Sequence, residues 1–287
     1  VGADSDLCRT MIRNGVPSGS ARSMCKSLPI YWGDQPFTAG NVYMGAIICF
    51  LFLLGCLIVK GPYKWALLAS TVFSVMLAWG CNFMWLTRLF FNYFPLYNKF
   101  RAVSSILIVA EIAMPLLGFL AVKELMEGGE EKKKEHIRSI FLSAGITAGL
   151  CLIFALFGRS IFDFRGINDA SFFAELPEWF YSAILSTRAD LLVSDSWRSF
   201  LFIALAAVLL LLFATGKVKR GVLAAVLGVL VVADLWPVDQ RYFNDDYFKS
   251  PSQSRQAYEM KPYEQLLLQD TDPHFRILDL TTAPFND

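Results

Sequence analysis

The chain has 287 residues, a net charge of +1, 55% hydrophobic but only 18% charged residues, and a mean hydropathy of +0.45. Average soluble chains carry about 25% charged and roughly 45–50% apolar residues, so an excess gathered in blocks excludes an ordinary soluble domain and points to membrane spans. The balance of 26 Lys and Arg against 25 Asp and Glu leaves no field to hold nucleic acid, and 25 phenylalanines, 10 tyrosines and 7 tryptophans exclude disorder.

Residues 1–41 read as a polar, turn-rich external segment (GVPSGS, then YWGDQPFTAG), in which Cys8 and Cys25 could pair as a disulfide. Six stretches then match the roughly 20 helical residues needed to cross about 30 Å of hydrocarbon. They lie near 42–60, 64–85, 103–123, 138–157, 198–215 and 221–236. Pro62 separates the first pair, and Pro115 falls inside the third, where neighbouring helices can satisfy the freed carbonyl. Cys49, Cys56, Cys81 and Cys151 fall inside these stretches as small packing residues.

The connections set the orientation. Loops 60–64, 123–138 and 216–220 hold ten Lys and Arg in 26 residues, whereas 87–102 and 158–198 hold seven in 57. The positive-inside rule therefore puts the first group in the cytoplasm and both termini outside. Trp65, Trp85, Trp197 and Trp236 sit at span ends, where indole prefers the headgroup level. The run GGEEKKKEH (128–136) reads as a solvated cytoplasmic loop, with a lipid-headgroup patch as the minor alternative because glutamates offset its lysines.

The external loop 158–198 contains a short helical pattern after Asp169. Phe172, Phe173, Leu176, Trp179, Phe180, Ala183 and Ile184 recur at helical spacing, with Pro177 and Glu178 interrupting. That stripe suits either a helix lying in the interface or one packed on the bundle. Residues 237–287 are polar, carry a period-two strand signal in HFRILDL (274–280), and read as the start of a C-terminal extracytoplasmic domain. The expected fold is thus an all-α polytopic membrane protein of about six transmembrane helices. With no initiator Met at Val1 and an end soon after the predicted strand, the chain is expected to be an internal fragment.

Candidate chemistry is sparse. His136 and His274 lie on opposite sides in this topology, giving no metal signature, and no nucleotide or hydrolase motif is present. No catalytic residue and no cofactor can be read from the chain. The most informative stretch is FNYFPLYNKFRAVSSILIVAE (91–111), which puts Asn98, Lys99 and Arg101 at the outer surface among Phe91, Tyr93, Phe94, Tyr97 and Phe100. Cations flanked by rings at this depth either anchor the chain in the interface or hold a lipid phosphate. Glu111 follows two to three turns into the third span, where a carboxylate costs about 2.5–3.5 kcal/mol to insert unless it meets a cation or a polar cavity. Asp234, in DLWPVDQRYFND (234–245), reads as a cheap carboxylate at a helix exit stopped by Pro237.

YWGDQPFTAG before the first span, FPLYNKFRAVSS after the second, the exit DLWPVDQRYFND, and HFRILDL followed by FND together resemble the bacterial YfhO-like membrane proteins, in their long form. The resemblance covers the chain from about residue 31 onward. It implies a GT-C-like polytopic glycosyltransferase of the cytoplasmic (inner) membrane, which takes a sugar from a polyprenyl-phosphate carrier and passes it to a cell-envelope acceptor on the outer face. It also implies that the acidic catalytic loop lies upstream of Val1, and that Lys99 and Arg101, with Asn98 as a hydrogen-bond donor, hold the lipid phosphate. A lipid-linked sugar flippase using Glu111, or a non-catalytic scaffold, would present the same outer cations.

Overall fold

The computed structural model describes residues 5–28, 30–33, 42–99, 103–166, 169–173, 176–243, 248, 250–257, 259 and 260. Among them every regular element is helical. The chain divides into two units, Val1–Val238 and Asp239–Asp287.

The first unit opens with a helical hairpin where the sequence suggests turns. Helix α1 (Asp6–Arg13) starts at Ser5, whose side chain accepts the Cys8 N–H at 3.3 Å, satisfying one of the donors a helix start leaves open. Gly15, at φ +90°, turns the chain into α2 (Ser18–Ser27). Leu7, Cys8 and Met11 share one face of α1 and bury against Ala21 and Cys25 of α2. Eight residues of amphipathic helix are too short to stand out from a polar background.

The membrane-embedded part is built around α3 (Ala46–Ile58), α4 (Pro62–Ala78), α5 (Met84–Tyr93), α6 (Ile108–Glu127), α7 (Lys133–Ile161), α9 (Glu178–Ala214) and α10 (Arg220–Tyr242). Four segments are long and apolar enough to cross a membrane: Val103–Glu127, Lys133–Ile161, Glu178–Ala214 and Arg220–Arg241. A fifth exists if the bent pair Pro62–Ala78 and Gly80–Tyr93 counts as one span. The protein is therefore a multi-pass membrane protein with four or five apolar helices of spanning length among the described residues, where the sequence predicts about six.

The difference has two physical causes. The stretch 42–60 forms only the 13-residue α3, about 20 Å long at 1.5 Å per residue and short of the roughly 30 Å of hydrocarbon. Its Ile47, Phe50, Leu51 and Leu54 are fully buried among α6, α7 and α9, so its apolarity comes from core packing. Hydropathy alone cannot separate a core helix from a span. In the second stretch, Gly80 at φ +51° bends the chain by 107° between α4 and the segment holding α5. Cys81 is exposed in that bend.

Glycines set the closest approach in the core. A Cβ added to Gly55 on α3 would fall 2.6 Å from the Leu117 carbonyl oxygen of α6, and one on Gly118 would fall 3.0 Å from Leu51 Cβ. Small residues at such crossings let helix backbones touch. Gly55→Ala is expected to cost about 1–3 kcal/mol or more, because the obstacle is backbone and cannot rotate away. Gly145→Ala, with nothing within 4 Å of the new methyl, should be neutral or stabilising by up to about 1 kcal/mol. Thermal unfolding of the two variants in one detergent checks the contrast.

Three further segments differ from the sequence reading. The short α8 (Asp169–Phe172) is followed, after Pro177, by 37 unbroken residues of α9. The predicted aromatic stripe is thus interrupted, with Phe173 and Leu176 in the break between the two helices, and its Phe173, Phe180 and Ile184 pack on the α1–α2 hairpin. Pro237 does not stop α10 but lies inside it. The charged run 128–136 forms a 3-10 turn, Glu130–Lys132, and the first residues of α7.

In the second unit the described residues include α11 (Pro251–Ala257) and a T-shaped contact between Phe243 and Phe248, 5.2 Å between ring centres. The predicted strand 274–280 lies outside the described residues.

Candidate functional site

The turn after α5 is held by stacked rings. Phe90 packs on Phe73 at 5.5 Å, on Phe94 at 5.4 Å and on Tyr97 at 5.6 Å between centroids. The Lys99 N–H donates to the Leu96 carbonyl at 3.0 Å, closing a single 3-10 turn, Tyr97–Lys99. Leu96 sits at φ +66°, a left-handed conformation that a branched side chain adopts at a cost of about 1–3 kcal/mol. Asn98 and Lys99 are exposed at the end of this turn, while the Tyr97 hydroxyl beside them is buried with no hydrogen-bond partner among the described residues. Arg101 lies outside the described residues.

Glu111 is exposed in the first turn of α6, because residues 103–107 form a 3-10 segment before that helix begins. A carboxylate there faces the positive end of the helix dipole. No hydrogen bond or ion pair joins it to Asn98 or Lys99 among the described residues.

Two buried polar constellations went unseen in the sequence. In the first, Asp234 is 1% exposed, quite unlike a helix-exit carboxylate in the interface. One carboxylate oxygen accepts the Tyr43 hydroxyl at 2.8 Å, and the other accepts the Ala46 and Ile47 N–H groups at 2.7 and 3.3 Å. Asp234 therefore caps α3 from 188 residues away in sequence, supplying both the missing acceptor and a charge that complements the helix dipole. Gly45, at φ +90°, lets the chain pass it: a Cβ there would lie 3.4 Å from the carboxylate and 3.0 Å from Leu235. Arg198 completes the group. Its Nη2 donates to the Tyr43 oxygen at 3.0 Å and its guanidinium lies 5.4 Å from the Tyr43 ring centre. Its Nε, 3.9 Å from Asp195, and its Nη1 are buried without a hydrogen bond among the described residues.

In the second constellation Arg188, 2% exposed, is gripped on every side. It donates to Asp169 through Nη1 at 2.6 Å and Nη2 at 3.0 Å, and to the carbonyls of Ile30, Phe164 and Tyr31 at 3.0, 2.8 and 3.4 Å. Asp169 also accepts from the Gly166 N–H and the Tyr181 hydroxyl. Burial pushes the Asp169 carboxyl up, but Arg188, the Gly166 N–H and Tyr181 outweigh it and hold it below its ordinary value. This pair ties the segment after the hairpin to α8 and α9.

Cys8 and Cys25 are free thiols buried in the hairpin core, with the Cys25 sulfur 3.8 Å from that of Met11. Burial, and then the neighbouring Cys8, push the Cys25 thiol up. Among the described residues no group of His, Cys, Asp or Glu is placed to hold a metal ion. No protein-family model, no curated protein and no solved structure matches the chain.

Proposed function

We propose that the chain is the C-terminal part of a YfhO-like membrane protein of GT-C type. In this reading it binds a polyprenyl-phosphate-linked sugar at the outer face of a bacterial inner membrane and takes part in sugar transfer to a cell-envelope acceptor. The observation that carries the reading is the turn at 94–99. A strained, ring-pinned loop presents Asn98 and Lys99 to solvent, and strain held by surrounding packing is characteristic of binding sites. A lipid phosphate there would meet a cation and an amide while its prenyl chain lies against the neighbouring rings.

Arg101, two residues further on, would add the bidentate donor that phosphate recognition favours. Transfer needs cations to stabilise the departing lipid phosphate and a base for the acceptor hydroxyl. The turn supplies the first, and no residue of this chain is assigned the second role.

The test is turnover of radiolabelled polyprenyl-phosphate sugars by the full-length protein in detergent. Lys99→Ala and Arg101→Ala should each lower turnover about tenfold or more, the worth of a hydrogen bond to a charged group, at unchanged unfolding temperature. Binding without transfer would instead indicate a flippase. Neither binding nor transfer would leave a scaffold whose cations anchor it in the interface.

A further inference from the structure

The α1–α2 hairpin holds three sulfur atoms in its core, and the proposed function gives them no part. Cys8 and Met11 lie about one helical turn apart on one face of α1, and Cys25 meets them from α2. All three residues are 0% exposed. The Cys25 thiol donates to the Met11 sulfur at 3.8 Å and lies within hydrogen-bonding reach of the Cys8 thiol. Leu7, Phe173, Phe180 and Ile184 close the core around them.

A single buried cysteine behaves as a small hydrophobe and needs no partner. Two that meet across a pair of helices can do more. A disulfide requires Cβ atoms about 3.5–4.5 Å apart, a demand that only side chains facing each other can meet. The free thiols of the structure are the state before bridging.

We propose that Cys8 and Cys25 form a disulfide that fastens α1 to α2 while the protein folds. This bridge rests on the outer placement of the hairpin in the proposed function, where the compartment is oxidising, and does not depend on sugar transfer. The oxidant is a disulfide-bearing oxidoreductase of the outer compartment. One cysteine, as thiolate, attacks a sulfur of that disulfide and forms a mixed disulfide. The second cysteine then displaces the oxidoreductase, which leaves as a dithiol carrying both electrons and both protons.

The timing follows from burial. Neither sulfur is accessible once the hairpin has docked on α9, and burial pushes the Cys25 thiol up, which starves exchange of thiolate. Exchange therefore belongs to the open hairpin, and the closed bridge resists reduction afterwards. It is a structural clasp and not a switch.

The experiment uses the full-length protein in its native membrane. Cells are quenched in acid, free thiols are alkylated under denaturing conditions, and peptides are read by mass spectrometry. The expected result is a Cys8 peptide joined to a Cys25 peptide, two hydrogens lighter than their sum. Met11→Leu, which removes the thioether and neither thiol, should keep the link, and Cys8→Ser should leave Cys25 alkylated. Dithiothreitol should cut the bridge about tenfold or more slowly in folded than in denatured protein.

Gly19→Cys, at an exposed site on α2 with open space around it, reports the side of the hairpin. It is probed with a membrane-impermeant maleimide in a Cys8→Ser, Cys25→Ser background. Alkylated Cys8 and Cys25, with Gly19→Cys labelled from outside, would overturn the disulfide itself. Alkylated cysteines with labelling only from inside would overturn it through the topology it shares with the proposed function. A link from either cysteine to any other, or equal reduction rates in folded and denatured protein, would overturn the buried bridge.

Discussion

Arg188→Met is expected to destabilise the region carrying the α1–α2 hairpin by about 3–5 kcal/mol, the cost of stranding one member of a buried ion pair. The variant leaves the Asp169 carboxylate without its counter-charge and three backbone carbonyls without a donor. One of those belongs to Phe164, a buried residue held at φ +57°, a strain that the arginine's hydrogen bond helps to hold in place. Hydrogen exchange should show faster opening of 5–33 and 162–184 while α6 and α7 keep their protection. Adding Asp169→Leu should recover most of the loss, since a buried pair replaced by apolar side chains is often neutral.

The same pair predicts a pH dependence. The Asp169 pKa is depressed below its ordinary 3.8, so its stabilisation is fully present above pH 3.8 and is lost as pH falls through the lower native value. In Arg188→Met the largest influence left is burial, which raises the pKa. The variant should then lose stability as pH rises above 3.8, the opposite sign, and unfolding followed from pH 3 to 7 distinguishes the two profiles. Equal pH profiles for the two proteins would show that Arg188 does not set the charge of Asp169.

Asp234→Ala should be the most damaging change within the bundle. It strands two N–H groups at the start of α3, the Tyr43 hydroxyl and, through it, Arg198. At about 1–3 kcal/mol for each buried group left unpaired, the loss is about 3 kcal/mol or more. Asp234→Asn keeps one acceptor oxygen and should cost less. Because α3 frays from its first turn, maleimide labelling of Cys49, four residues into α3, should accelerate in Asp234→Ala and only slightly in Asp234→Asn. Unchanged labelling in both would show that the cap does not hold the helix.

How much of this was legible in the chain depends on the range of each interaction. The spans in α6, α7 and α10 and in the second half of α9 are visible because a window of some 20 apolar residues is a local property. The bend at Gly80 has no such signature: one residue in a left-handed conformation redirects an apolar run that reads as continuous. The extension of α9 over 178–197 was hidden by its own polar content, since Arg188, Asp190 and Asp195 lower the hydropathy of a helix that is half out of the bilayer.

The buried networks are less visible still. Tyr43 and Asp234 stand 191 residues apart, and nothing near either one announces the other. Glu111, the carboxylate that looked most anomalous in sequence, lies exposed in the first turn of a helix, whereas the unremarkable Asp234 is nearly inaccessible. An intramembrane charge is informative only once the true start of its helix is known. For the candidate lipid-phosphate site, Asn98 and Lys99 were readable from their aromatic neighbours; the strained Leu96 that presents them was not.

Helix α9 has no glycine or proline from Glu178 to Ala214, and so no point at which to hinge. At 1.5 Å per residue its first half is a stiff arm about 30 Å long, with the hairpin fastened to it by Phe180 and Ile184 and the segment after the hairpin by Arg188. A tilt of only about 5° where α9 enters the bilayer would sweep the far end of that arm through about 2–3 Å. Whatever shifts the helix among its membrane neighbours is therefore reported at the hairpin, magnified, as the displacement of a pointer.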